Sequence, residues 1–213
     1  MPDSSFIYDE DGTALTVSVM RFPQRLRDWD LVGSYLELRR EVFVEKMSWA
    51  LDHAEGLEFE QYDSMSTVYI VAHRGRRAVG GARLCRTDRS MGTGQVSYSY
   101  MIRDAVRGLL PGLPRNLCYE EPPCDPAVWE LTRLATMGEA SISRVVLRAA
   151  NDFLYREGAK KCLFLGPAAF IRMAKSLGWN PQPLGPVVGN KDGRFLAFEC
   201  AILPEEEPTI ITS

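Results

Sequence analysis

The hydrophobic pattern along this chain changes period several times, and each change marks an element boundary. Residues 14–20, ALTVSVM, alternate apolar with polar and carry β-branched side chains, which predicts a strand. Between 31 and 46, LVGSYLELRREVFVEK, the positions Leu31, Tyr35, Leu38, Val42 and Val44 make an imperfect helical stripe. The acidic, irregular stretch 48–66 reads as a loop. TVYIVAH (67–73) and RAVGGARLCRT (77–87) predict the two strands of a hairpin turning at Arg74–Gly75–Arg76. Residues 88–127 collect turn-formers such as Gly108, Pro111, Gly112 and Pro114, and predict a long insert with one short helix in SYSYMIRDAVRGLL. Loops of that length inside a compact domain are usually functional or mobile.

The pattern then becomes βαβα: strand 128–136, helix 141–156 between Ser141 as N-cap and Gly158 as stop, strand 161–165, and helix 167–176 closing at Gly178. Two more strands, 183–188 and 194–202, flank the turn GNKDG, and 204–213 reads as a solvated tail. Strands, then a crossover, then strands again imply a single α/β (α+β) domain over 1–203, a mixed twisted sheet with helices packed on both faces.

One strand sits oddly in this scheme. VWELTRLA, 128–135, is apolar yet carries Glu130 and Arg133. Charged side chains are almost never fully buried unless paired, and an unpaired buried charge is expensive. The two therefore either join a buried ionic network or line a site where charge does chemistry. On an ideal strand they point to opposite faces, so serving one site requires a bulge or a strand end between them.

Composition narrows the function classes. The 213 residues are 46% hydrophobic and 25% charged with a net charge of −3, which lacks the basic excess of a nucleic-acid binder. Five scattered cysteines without a CxxC pair, and two histidines, support neither a zinc site nor a disulfide framework. No apolar run approaches the roughly 20 residues that span a bilayer, and the acidic start is unlike a signal peptide. The expectation is a cytoplasmic protein with no membrane, nucleic-acid or metal partner.

The charged and aromatic residues fall in a specific order. Arg39 and Phe43 share a helical face; Trp49 follows, then Glu60 and Asp63 in EFEQYD, Arg83 in GGARL, and Glu130 and Arg133 in WELTR. This set, within about 35–180, resembles the acyl-homoserine lactone synthases, the autoinducer synthases of bacterial quorum sensing. The element order, with SLGW after the second crossover helix, resembles the GNAT acyltransferase fold, in which neighbouring parallel strands splay around a thioester's pantetheine arm. Three departures stand out. The family's Asp-x-x-Asp begins here with Glu60; the segment from Thr87 to Pro126 is longer than the family's, a hint of an unusual pocket or lid; and MGEASIS replaces the Gly-rich phosphate loop of ordinary acetyltransferases.

The resemblance implies acylation of the amine of S-adenosylmethionine by acyl-ACP or acyl-CoA, then lactonisation with release of methylthioadenosine, and no cofactor beyond these co-substrates. It implies that Arg39, Phe43, Trp49, Glu60 and Asp63 bind S-adenosylmethionine, and that Glu130 and Arg133 serve catalysis, Glu130 as base or as orienter of the amine. Arg83 is a further motif residue. Cation–π attraction to Trp49 and Phe43 suits a sulfonium. Leu147, Phe164, Leu165, Phe170 and Met173 are acyl-pocket candidates by position in the βα unit. Arg148, Arg156, Lys160 and Lys161 form a modest basic cluster that suits an acidic acyl carrier protein and coenzyme A phosphates equally. Three alternatives stand beside this reading: a GNAT-type N-acyltransferase on another amine, a non-catalytic ligand-binding relative, and a plain structural network of the arginines and acids.

Overall fold

The computed structural model of the chain describes residues 5–10, 13–92, 95–138, 140–190 and 193–205. Strands β1 (Ser5–Glu10) and β2 (Thr13–Arg21) lead into helix α1 (Asp30–Arg39), which runs on through a π-helical segment, Arg40–Lys46. A small hairpin, β3 (His53–Ala54) and β4 (Leu57–Glu58), precedes the long hairpin β5 (Val68–Arg74) and β6 (Arg77–Arg86). The insert contributes α2 (Met101–Val106). Then come β7 (Val128–Thr136), α3 (Ala140–Arg156), β8 (Lys161–Gly166), α4 (Ala168–Ser176), β9 (Gln182–Pro183), β10 (Val188–Asn190) and β11 (Gly193–Ala201).

Strands β1-β2-β5-β6-β7-β8-β11-β10 lie in that spatial order in one sheet, with β9 pairing β11. All these pairs are antiparallel except β7 with β8, the pair joined by the α3 crossover. The sheet is mixed and covered on both faces, as the element order predicts. Every residue of β5 from Val68 to His73 is buried for that reason. On one face α3 buries Ile142, Val145, Val146, Ala149, Ala150, Phe153 and Leu154, a 3–4 spacing that lays one helical stripe on Val68, Ile70, Leu84 and Leu131. On the other, Leu31, Val32, Tyr35 and Leu38 of α1 pack on Tyr69, Val71 and Ala135.

The GG of GGARL lets both helices approach the same strand. A Cβ on Gly80 would stand 2.5 Å from Ile142 Cγ2 of α3, and one on Gly81 2.6 Å from the Tyr35 ring of α1. Side chains at these two positions point to opposite faces, so each glycine admits one layer.

Four expectations need correction. The helix predicted over 31–46 is α-helical only to Arg39. Beyond it the turns widen, so that the Met47 N–H reaches the Val42 carbonyl, 3.0 Å away. The 48–66 loop contains the β3–β4 hairpin. The strand expected at 183–188 is split into β9 and β10, which pair with different parts of β11. The polar opening segment, for which no strand is predicted, pairs along β2 as an edge strand from Ser5 to Glu10. Edge strands need no continuous apolar face, so the pattern is silent there. Of the predicted tail, residues 206–213 lie outside the described residues, and Glu205 pairs with Arg156.

Candidate active site

The feature that shapes the site is a bulge in β7. Gly81 pairs with Ala135 and Arg83 with Thr132, so Ala82 alone faces the two residues Arg133 and Leu134. Arg133 takes φ 55° there, a left-handed conformation rare outside glycine. The extra residue resolves the alternation problem: Arg133 turns to the face that carries Arg83 and Glu130. The Tyr35 hydroxyl donates to the displaced Arg133 carbonyl at 2.5 Å.

On that face six side chains close a ring of alternating charge. Arg39 donates from Nε to Glu58 at 2.5 Å and forks onto both Asp63 oxygens at 2.7 and 3.0 Å. Arg83 joins Asp63 at 3.2 Å to Glu60 at 2.6 Å. Arg133 joins Glu60 at 3.0 Å to Glu58 at 3.3 Å, closing the circuit. Three guanidinium groups thus meet three carboxylates, each touching two of the opposite sign. Thr132 accepts from Arg83 Nε at 3.1 Å, and the Tyr69 hydroxyl donates to Asp63 at 3.1 Å. Arg39 and Arg83 are fully buried (0% exposed), whereas Glu60 is 17% exposed and is the edge of the ring that solvent reaches.

Burial works to raise the pKa values of Asp63 and Glu60, but the guanidinium groups outweigh it. Arg83 and Arg39 hold Asp63 well below the usual range, and Arg83 with Arg133 lowers Glu60. The same acids raise Arg39 and Arg83 against burial. With three guanidinium groups set against three carboxyl groups, the ring is internally compensated.

Glu130 stands outside the ring. It is 1% exposed, and its two oxygens accept the backbone N–H groups of Met101 and Ile102 at 2.9 and 2.8 Å, at the start of α2. Burial pushes its pKa up to about 7 against those two N–H bonds and the field of Arg83. Phe43 is buried and stacks on Trp49, rings 5.2 Å apart and 7° from parallel, while the Arg133 guanidinium lies over the Phe43 ring at 5.7 Å. A sulfonium therefore does not find the Phe43 face free; the partly exposed Trp49 offers the accessible one.

Beside the bulge the sheet opens. The β7–β8 ladder runs from Val128–Lys161 to Leu131–Phe164 and stops. Beyond it β7 follows β6 while Leu165 and Gly166 stay on β11. This parting between parallel strands is the slot the sequence resemblance led us to expect.

The acyl-pocket candidates divide. Phe164 stacks on Phe198 at 5.1 Å and meets Phe170 edge-on at 5.5 Å, and with Leu147 they belong to the buried core under α3 and α4. Met173 packs against that core from α4, accepting from Ser143 at 3.6 Å. Leu165 alone shares the face of Glu130. Of the predicted basic cluster, Lys160 and Lys161 lie at the end of β8 away from the slot, Lys161 pairs with Glu199, and Arg156 pairs with Glu205.

Sequence reasoning missed Glu58, which ties Arg39 to Arg133, and also Thr132, Tyr35 and Tyr69. Glu58 had a signal: it is two residues from Glu60 in EFE, and alternate positions of an extended segment share a face. The tyrosines and Thr132 look like ordinary strand and helix residues until the fold places them.

A mixed sheet split between parallel strands, with helices on both faces, defines the GNAT-like acyltransferase fold; a putative N-acetyltransferase from Lactobacillus plantarum shares it at a TM-score of 0.55 and 14% identity, covering 89% of this chain and 99% of its own. The autoinducer synthase family matches residues 24–107. The acyl-homoserine-lactone synthase of Pseudomonas aeruginosa is 35% identical over 153 residues, 70% of this chain and 68% of that protein. The solved structure of a CoA-dependent acyl-homoserine lactone synthase, BjaI, with SAM and isopentyl-CoA, superimposes at a TM-score of 0.72 and 22% identity over 94% of this chain and 84% of that one. The chain belongs to the acyl-homoserine-lactone synthases, a family of acyltransferases that make quorum-sensing autoinducers.

Proposed function

We propose that this protein transfers an acyl group from a thioester to the α-amine of S-adenosylmethionine and then forms the lactone. In the first step the amine nitrogen bonds to the thioester carbonyl carbon, the C–S bond breaks, and the thiol leaves with the amine's proton. In the second, a carboxylate oxygen of the methionine moiety attacks its own γ-carbon. The γ-carbon–sulfur bond breaks, and the sulfonium departs as neutral methylthioadenosine.

The observation that carries this reading is the juxtaposition of the charge ring, the Phe43–Trp49 stack and the parting of β7 from β8. Its residues take the following parts. Trp49 holds the sulfonium by its open face. Glu60, the accessible acid, meets the cationic amine, and Arg133 meets the carboxylate. Arg39, Arg83, Glu58 and Asp63 hold those two groups in place. The slot takes the pantetheine arm of coenzyme A or of an acyl carrier protein.

The amine needs little help to react. An α-amine titrates near pKa ~8, so part of it is free at neutral pH. Glu130 is 1% exposed and both its oxygens are engaged by α2, so it orients the site rather than taking the proton directly.

Mass spectrometry of the purified chain with S-adenosylmethionine and a panel of acyl-CoAs and acyl carrier proteins tests the reading. Methylthioadenosine appearing together with an acyl-homoserine lactone supports it. Acylation without methylthioadenosine transfers the protein to the plain N-acyltransferases.

A further inference from the structure

Each guanidinium of the ring lies over an aromatic face: Arg39 over Tyr35 at 5.6 Å, Arg133 over Phe43 at 5.7 Å and Arg83 over Tyr62 at 5.4 Å. Tyr62 is completely buried and stands between Glu60 and Asp63, in the turn that carries both acids. That turn is closed on itself: the Asp63 N–H donates to the Glu60 carbonyl at 2.9 Å, and the Glu60 N–H to an Asp63 carboxyl oxygen at 2.9 Å. The Tyr62 carbonyl fastens it to the chain ahead by accepting the Thr67 hydroxyl at 2.6 Å. The Tyr62 side chain fastens it to the 88–127 insert. Its hydroxyl donates to Asp104 of α2 at 2.9 Å, and its ring meets Tyr98 edge-on at 6.2 Å. Asp104 is fully buried, accepts the N–H and the hydroxyl of Ser99 at 2.8 and 2.9 Å, and pairs with Arg107 at 3.6 Å. Burial and the neighbouring Asp104 raise the Tyr62 pKa, so its hydroxyl remains a donor.

We propose that Tyr62 is a positioning residue for Glu60, and that through its bond to Asp104 the insert braces the S-adenosylmethionine end of the site. The inference rests on the acylation reading above, in which Glu60 meets the amine. Tyr62 reaches Glu60 through Arg83. The edge of that guanidinium is fully engaged, with Thr132 at 3.1 Å, Asp63 at 3.2 Å and Glu60 at 2.6 Å, and the Tyr62 ring supports its face. Glu60 in turn has Arg83 as the nearer of its two partners, at 2.6 Å against 3.0 Å for Arg133. Where Tyr62 sits therefore decides where Arg83 holds the acid. The Asp104 bond decides where Tyr62 sits, because the hydroxyl is the one polar group at the far end of a buried ring. The effect is one of placement: a displacement of about 1 Å at a reacting site can cost on the order of a hundredfold.

The test titrates S-adenosylmethionine into the full chain by calorimetry, with no acyl donor present. Tyr62→Phe keeps the ring under Arg83 and removes only the hydroxyl, and it is expected to weaken binding by about tenfold. In a Glu60→Gln background the same change is expected to cost less than about twofold, because the acid it acts through has lost its charge. Tyr100→Phe is the control. It removes a hydrogen bond that lies within the insert, from the Tyr100 hydroxyl to the Pro123 carbonyl at 2.5 Å, and should bind as the wild type does. Wild-type affinity in Tyr62→Phe overturns the proposal. So does an equal loss in Tyr62→Phe and Tyr100→Phe, which would make the insert a support of the fold at large, and so does an equal loss with and without Glu60→Gln. Should Tyr62→Phe fail to fold, Asp104→Ser, too short to reach the Tyr62 hydroxyl, carries the same expectations, and the same outcomes overturn it. A wild type with no affinity for S-adenosylmethionine overturns the acylation reading itself, which separates the two failures.

Discussion

Glu130 and Arg133, three residues apart on one strand, face the same side of the sheet because Arg133 is the extra residue of a bulge at φ 55°. The bulge gives the two charges different partners: Arg133 enters the ionic ring through Glu58 and Glu60, and Glu130 fastens α2. A lysine at 133 keeps the charge but not the planar fork that spans two acids. Arg133→Lys is expected to lower kcat/KM by about ten- to a hundredfold, equivalent to roughly 1.4–2.8 kcal/mol. Steady-state kinetics with undiminished kcat/KM would remove the fork from the mechanism.

Arg39 is predicted to matter first for folding. It is fully buried and serves Glu58 and Asp63 at once. Its removal strands two carboxylates in the interior, and breaking a buried ion pair from one side typically costs about 3–5 kcal/mol. Arg39→Ala should lower the thermal midpoint by roughly 10 °C or more. A midpoint within a degree or two of wild type would show that the ring is not compensated as described.

Much of this arrangement was legible in the sequence, and the limits are physical. Strand β7, helix α3 and the long hairpin follow from apolar periodicity because their burial is one- or two-faced and continuous. The ordered charges pointed to residues that the fold brings together, since polar residues in apolar segments demand partners. The pairing itself was not legible: Glu58 is joined to Arg133 across 75 positions, and the bulge that permits it depends on the register of β6 against β7. Whether Phe164 and Phe170 are pocket or core is likewise decided by α3, α4 and β11 closing over them.

Glu130→Gln is not a silent isostere here. A glutamine has one acceptor oxygen, so one of the two α2 N–H groups faces an NH₂ instead of an acceptor. A buried unsatisfied donor costs about 1–3 kcal/mol. Hydrogen exchange at the Met101 and Ile102 amides should accelerate in the variant, with little change in the β5 amides. Equal protection in both proteins would detach Glu130 from α2.

The same carboxyl gives a pH signature. Its folded pKa, about 7, lies above the ordinary 4.5, so the native state holds the extra proton across that window. This contribution to stability is complete below about 4.5 and is lost as pH rises to 7. His73, lowered from 6.5 by burial, works the other way in part of the window. Asp63 and Glu60, both lowered, lose their contribution only as pH falls below their unfolded values of 3.8 and 4.5. The thermal-midpoint difference between wild type and Glu130→Gln should therefore widen in favour of wild type from pH 7 down to about pH 5. A difference that is flat over that range contradicts the assignment.

Gly81 links the helical layer to the bulge, and its substitution should reach the site without touching any charge. A Cβ there would lie 2.6 Å from the Tyr35 ring and 2.8 Å from the Ile70 carbonyl. The backbone contact cannot yield, so the strain goes into the β5–β6 spacing and into Tyr35, whose hydroxyl holds the Arg133 carbonyl. Overpacking of this kind typically costs about 1–3 kcal/mol. Gly81→Ala is expected to lose that much in chemical denaturation and, in the folded fraction, to lose activity as Tyr35→Phe does, because both release the bulge that aims Arg133. Gly33, near the start of α1, has open space around its Cβ position and supplies the control: Gly33→Ala should keep wild-type activity. If Gly81→Ala is destabilised but fully active once folded, the Tyr35–Arg133 bond supports the fold alone and the bulge holds its geometry without it.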